Sequence, residues 1–185
     1  MLDTTTSDTV QAFLDDFGGA LEAGDIDRAV AMFAEDCYWR DLVSFTWNIK
    51  TVEGRDQVAD MLRAQLERTK PGGWKIAEGE LPEEADGITT VWIQFETEVA
   101  RGYGLMRLRD GKIWTLLTTL VELKGHEEPA GFDRPLGAKH GAAKDRPTWK
   151  EEREREFAEL GYETQPFTVI VGGGQGGIAL GARLR

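Results

Sequence analysis

The sequence predicts an α+β fold. Three helices pack against one face of a curved, cone-shaped antiparallel sheet, followed by a linker and the first strand and helix of a second unit. Three observations predict it. Apolar residues in the first third recur at helical spacing. Those between Val91 and Leu123 fall into strands, first with a period of two. A glycine cluster at residues 172–177 follows a short apolar run. Helices first and antiparallel strands after is the order of an α+β layer, not of alternating βα units.

Ser7 or Thr9 is the expected cap of the first helix, in which Val10, Phe13, Leu14, Phe17 and Leu21 share a face and Gly24 is the stop. Asp25 opens a short second helix with Ile26, Ala29 and Phe33 on one side. Cys37–Val43 is a strand. Gly54 precedes a third helix with Val58, Met61, Leu62, Gln65 and Leu66 as its stripe, ended by Pro71-Gly72-Gly73. Val91, Ile93, Phe95, Thr97 and Val99 alternate with polar or exposed positions, which means a strand with one dry face. Tyr103–Arg109 is the next strand. Asp110-Gly111 is a tight turn, because Gly111 can take a positive φ, and Ile113–Leu123 is the long last strand.

The pattern breaks after Lys124. Residues 125–147 carry Gly125, Pro129, Gly131, Pro135, Gly137, Gly141 and Pro147 with few apolar anchors, the composition of a linker. The charged stretch after Pro147-Thr148 reads as a helix docked by Trp149, Phe157 and Leu160. The expected division is therefore 1–124, 125–165 and 166–185.

A net charge of -11 argues against nucleic acid or an anionic membrane as partner. No apolar run approaches a bilayer span, and MLDTTTSDTV lacks the charged and apolar regions of a secretory signal. The single cysteine, Cys37, excludes an internal disulfide and suits a reducing cytoplasm. His126 and His140 lie far apart without other ligands at metal spacing, so no metal site is expected.

The glycine cluster carries the most specific chemistry. Phe167-Thr168-Val169-Ile170-Val171 reads as a central parallel strand, buried on both faces. It runs into Gly172, Gly174 and Gly177, a G-x-G-x-x-G. The first glycine permits the tight turn, the second lets backbone approach a pyrophosphate, and the third lets the following helix pack on the strand. The helix from Ile178 would offer its N-terminal amides to the phosphates. The acidic ribose-binding residue expected about 20 positions later falls beyond Arg185, as do the partner strands. The expectation is a truncated first βα unit of a Rossmann-type domain, in a fragment that binds FAD weakly or not at all.

Residues 7–123 resemble the superfamily of nuclear transport factor two, ketosteroid isomerase and the small, SnoaL-like polyketide cyclases. The resemblance rests on Ala23-Gly24-Asp25-Ile26, on Met32 to Asp41, and on Val52-Glu53-Gly54-Arg55-Asp56. It places Asp41 where an isomerase has its aspartate base. It puts Phe17 where the helical tyrosine donor would be and Gly104 where the carboxylic donor would be, so both oxyanion donors are missing. Losing one such donor costs about 2.7–4 kcal/mol of transition-state stabilisation. Asp41 is thus the one catalytic candidate, and its alternatives are a capping carboxylate or a charge near Arg40 or Arg55. Trp39, Trp47, Phe95, Tyr103 and Trp114 either line a cavity for a small organic ligand or pack as core.

The joined pattern, from Tyr38-Trp39-Arg40-Asp41 through Trp114–Glu128 to Pro166–Arg185, resembles the N-terminal third of bacterial flavin-containing monooxygenases that carry an added cone domain. That resemblance implies FAD on Gly172–Gly177, reduction by NADH or NADPH, and oxygenation of a small organic substrate through a flavin hydroperoxide. The alternative is a non-catalytic ligand-binding or dimerisation module, with a homodimer formed through the open sheet face bearing Trp92. An isomerase or cyclase using Asp41 is a third reading.

Overall fold

The computed structural model describes residues 4–134 and 147–184. The chain divides into two compact units, Met1–Pro135 and Leu136–Arg185. Of the expected linker, residues 125–134 belong to the first unit, and the stretch with Pro135, Gly137, His140 and Gly141 lies outside the described residues.

In the first unit, helix α1 (Thr4–Glu22) buries Val10, Leu14, Phe17 and Leu21 at the spacing of one face. It begins earlier than expected, so Ser7 and Thr9 sit inside its first turns and do not cap it. Gly24 reverses the chain at φ +70°. The Asp25 carboxylate then accepts the Arg28 amide and caps α2 (Ile26–Ala31). Helix α3 (Gly54–Thr69) buries Val58, Met61, Leu62 and Leu66, and stops at Lys70, whose left-handed backbone returns its amide to Leu66.

Seven strands make one sheet: β1 (Phe33–Leu42), β2 (Ile49–Glu53), β3 (Gly72–Ile76), β4 (Glu83–Ala85), β5 (Ile88–Glu96), β6 (Ala100–Arg109) and β7 (Lys112–Leu123). Their order is β2-β1-β7-β6-β5-β3, with β4 paired to β5. The sheet is mixed, which corrects the antiparallel expectation. Antiparallel pairing holds from β3 through β5 and β6 to β7, but β7 meets β1 in parallel, with Trp39 opposite Leu116 and Asp41 opposite Thr118. The helix α3 crossover carries the chain from the β2 edge to the β3 edge, and three reversals bring β7 back in the sense of β1.

Two glycines let the sheet curve tightly. Gly102 and Gly104 are consecutive inward positions of β6. A Cβ on Gly102 would lie 2.2 Å from the Phe95 ring, and one on Gly104 would lie 2.2 Å from the Leu117 carbonyl oxygen. The β6–β7 register also shifts between Arg101 and Gly102. Missing side chains and a bulge together bend a strand toward its neighbours.

In the second unit, α4 (Trp149–Glu159) starts with a capping box. The Thr148 hydroxyl accepts from the Glu151 amide, and the Glu151 side chain accepts from the Thr148 amide. Trp149 and Phe157 do not dock this helix: they are 71% and 75% exposed, and the Arg153 guanidinium lies over both rings. The expected strand Phe167–Val171 is not in a ladder. No partner strand lies beside it among the described residues, and Val169 and Val171 are exposed. A chain segment cannot become a strand alone, because its amides and carbonyls need neighbours. Helix α5 (Gln175–Leu184) starts within the glycine cluster, three residues earlier than expected, so that Gly176 and Gly177 lie in its first turn.

Candidate functional site

The concave side of the sheet and the three helices enclose a column of aromatic rings. Phe33 and Trp39 of β1 stack at 5.8 Å. Phe17 of α1 meets Trp74 of β3 edge-on at 5.1 Å. Trp74 stacks on Phe95 of β5 at 4.7 Å. Phe45, from the loop between β1 and β2, closes the column. Its ring lies 5.0 Å from Trp39 and 6.0 Å from Phe95. All six are buried.

Of the five aromatics expected around a cavity, two are inside. Trp39 and Phe95 belong to the column. Trp47 is exposed on the loop, Tyr103 stacks on Trp92 on the opposite sheet face, and Trp114 lies under the Arg109 guanidinium. Strand phase puts Tyr103 outside. Tyr103 lies between the inward Gly102 and Gly104, so its side chain must point out. Phe45 and Trp74 could have been suspected as large rings beside turn residues, but no periodicity marks them.

One of these rings carries an unusual atom. The indole Nε1 of Trp74 is buried and, among the described residues, has no hydrogen-bond partner. Its equivalent on Trp39 is satisfied, donating to Thr118 Oγ1 at 2.9 Å. Buried indole N–H groups normally find an acceptor, and leaving one without costs about 1–3 kcal/mol.

Asp41 is fully buried at the end of β1. Its Oδ1 accepts from the Ser44 hydroxyl and, at 2.8 Å, from the Thr118 hydroxyl. Its Oδ2 accepts from the Thr46 amide at 2.8 Å and the Thr46 hydroxyl at 2.7 Å, and the Phe45 amide reaches both oxygens at 3.1 Å. Every one of these donors belongs to the chain itself. This is the geometry of a carboxylate that organises a turn, as in an Asx motif. Arg40 instead reaches Thr51, and Arg55 donates twice to the Phe33 carbonyl, so neither pairs with it. Phe17 and Gly104 supply no donor to the interior, as their side chains dictate.

Elsewhere, burial pushes the Cys37 thiol above its ordinary pKa, which suits a small core residue and not a nucleophile. Among the described residues, no three His, Cys, Asp or Glu side chains gather as a metal site, and no helix is long and apolar enough to cross a membrane. The convex sheet face carries a row formed by Trp92, Leu105 and Leu117, cross-strand neighbours on β5, β6 and β7. Beside it, a groove of about 440 Å³ is lined by Lys75, Gln94, Arg101, Tyr103 and Val121.

In the second unit, the structure brings Gly172, Gly174 and Gly177 into one turn. Gly172 has φ +110°, and a Cβ on Gly177 would lie 2.0 Å from the Gly172 carbonyl oxygen. The Ile178 amide donates to the Gly174 carbonyl and starts α5.

Helices wrapped on a curved mixed sheet, with an aromatic interior, define the nuclear-transport-factor-two-like class of α+β cones. Within it, the chain belongs to the SnoaL-like domain family, whose sequence model matches residues 10–116. No curated protein matches the chain. Among solved structures, a ketosteroid isomerase-like protein from Erwinia carotovora atroseptica SCRI1043 is 14% identical, with TM-score 0.52 over 65% of this chain and 99% of that one. A protein of unknown function with a cystatin-like fold from Nostoc punctiforme PCC 73102 is 13% identical, with TM-score 0.50 over 65% and 94%. The orange carotenoid protein of Anabaena (Nostoc) sp. PCC 7120, binding canthaxanthin, is 18% identical with TM-score 0.49 over 60% of this chain, which spans 36% of that protein's length. At these identities the likeness concerns the fold.

Proposed function

We propose that the SnoaL-like unit is a non-catalytic module that binds a flat, apolar organic ligand in its aromatic column. The observation that carries this is the buried Trp74 Nε1 without an acceptor, set among stacked rings. Apolar walls with one orienting polar group are what a small-molecule site needs. A ligand carbonyl or ether oxygen would take that hydrogen bond. Asp41 speaks against enolate chemistry, since its oxygens are already occupied and the two oxyanion donors of an isomerase are replaced by Phe17 and Gly104. Domains of this family also pair, and the row of Trp92, Leu105 and Leu117 suits a self-complementary contact.

The test is a titration with prodan, a flat naphthalene ketone whose emission shifts blue in dry surroundings. One-to-one saturable binding is expected, weakened at least fivefold by Trp74→Phe, which keeps the ring stack but removes the donor. Absence of saturable binding sinks the reading. For pairing, light scattering should give a dimer that Leu105→Glu converts to monomer.

A second reading concerns the turn at Gly172, Gly174 and Gly177, as the opening of an FAD-binding domain in a flavin-dependent monooxygenase. What favours it is the turn itself. A Cβ on Gly173, Gly174 or Gly176 would meet nothing within 4 Å, so main chain lies open ahead of α5, while Gly177 tolerates no side chain. These residues fit a diphosphate, whose charge the first-turn amides of α5 would stabilise. FAD bound there would supply the redox chemistry, with NADH or NADPH as reductant. FAD titration followed by quenching of flavin fluorescence tests it. The quenching is expected to be weak, since no partner strand lies beside Phe167–Val171 among the described residues, and to be abolished by Gly174→Val; quenching that survives this variant removes the reading.

A further inference from the structure

The loop joining β1 to β2, residues 43–48, has a construction that the binding reading alone does not require. We propose that it is a lid on the aromatic column, with Phe45 as its plug and Asp41 as its latch. This proposal rests on the ligand reading for its purpose, though not for its mechanics.

Phe45 is the one ring of the column supplied by a loop and not by a helix or strand. It is 1% exposed, while its neighbour Trp47 is 54% exposed, so the tip dips a single side chain inward. The base of the loop is closed by the Val43 amide on the Asn48 carbonyl at 3.0 Å. Above that base, the amides of Phe45 and Thr46 and the hydroxyls of Ser44 and Thr46 all donate to the Asp41 carboxylate. One side chain therefore holds the whole tip down.

The closed loop is also strained. Val43 has φ 67° and Trp47 has φ 53°, left-handed conformations that a β-branched residue and a bulky ring rarely adopt. Opening relieves both, which offsets part of the lost hydrogen bonding. The released donors turn to water, while Asp41 keeps its bond from Thr118. Once Phe45 leaves, the Trp39 and Phe95 rings each lose an aromatic neighbour, and Trp74 stacks on Phe95 next to them. The vacancy is that of one phenyl ring with aromatic neighbours on two sides, so the guest part it suits is apolar.

Native-state hydrogen exchange of the whole chain tests the lid without any ligand. The amides of Phe45 and Thr46 should exchange at least tenfold faster than the ladder amides of β6 and β7, through a local opening. Thr46→Val removes one latch donor and should speed them a further fivefold with the ladder amides unchanged. Ser44→Ala is the second latch variant, for use if the first fails to fold. Exchange no faster than the ladder, or insensitivity to both variants, overturns the lid. In a separate stopped-flow arm, the latch variants should bind prodan faster than the original chain. If prodan fails to bind while exchange behaves as expected, the ligand reading falls and the lid stands.

Discussion

Trp39 and Thr118 are joined diagonally across the parallel pair β1–β7, indole Nε1 to Oγ1 at 2.9 Å. The same hydroxyl donates a hydrogen bond to Asp41 Oδ1 at 2.8 Å. The chain Trp39–Thr118–Asp41 thus links the aromatic column to the loop above it, and every member is buried. Thr118→Val keeps the shape but removes the acceptor for one group and a donor to the other. The expected loss is about 2–3 kcal/mol of unfolding free energy in urea, against less than about 1 kcal/mol for Thr118→Ser.

Asp41→Ala leaves the Ser44, Phe45, Thr46 and Thr118 donors without their acceptor. We expect a loss of about 3–5 kcal/mol, measured by chemical denaturation. A variant as stable as the original chain contradicts the structural role assigned here to the carboxylate.

Gly104→Ala and Gly19→Ala should act in opposite directions. The first drives a methyl against the rigid Leu117 carbonyl at 2.2 Å and should cost about 1–3 kcal/mol. The second adds a methyl in open space on helix α1, where nothing lies within 4 Å. It should gain about 0.5–1 kcal/mol from helix propensity. Thermal melting of both variants decides the matter.

Val43→Gly should raise stability by about 1 kcal/mol. Left-handed strain of about 1–3 kcal/mol is relieved, and the extra entropy of an unfolded glycine takes back about 0.5–1 kcal/mol. A drop in melting temperature refutes the strain assigned to the loop.

Glu127 reports the attachment of residues 125–134 to the sheet. Its carboxylate accepts from Arg101 at 3.0 Å, and that guanidinium, with help from the Glu127 and Gly125 amides, lowers its pKa to about 2 from 4.5. A depressed carboxylate stabilises the fold above the unfolded value, so this contribution fades as pH falls from about 4.5 to about 2. The group is exposed, so added salt should shrink the shift. Carbon-13 titration of Glu127 should show the low midpoint, and Arg101→Met should return it toward the ordinary range.

The helices and the main meander were legible because their residues repeat. Val10, Leu14, Phe17 and Leu21 mark α1, and Val91, Ile93 and Phe95 mark β5, with periods that burial imposes. The edge strands were not. β2 buries Val52 alone, and β3 opens with Gly72-Gly73, which reads as a helix stop. For β4 a local signal exists: Asp86-Gly87 turns with φ 52° and 74°, matching Asp110-Gly111. The site was partly legible. The motif around Asp41 marks that residue, but no local pattern foretells that Phe45 enters the column or that Trp74 lacks an acceptor. Those depend on residues far apart in the chain.

Strand β6 omits its side chain at two successive inward positions, Gly102 and Gly104. The space of both missing methyl groups is already taken, by the Phe95 ring at the first position and by the Leu117 carbonyl at the second. Relatives that carry alanine or larger at these points would have to flatten the strand or surrender a ring. Room inside such cones can therefore be tuned by backbone positions that never touch a guest.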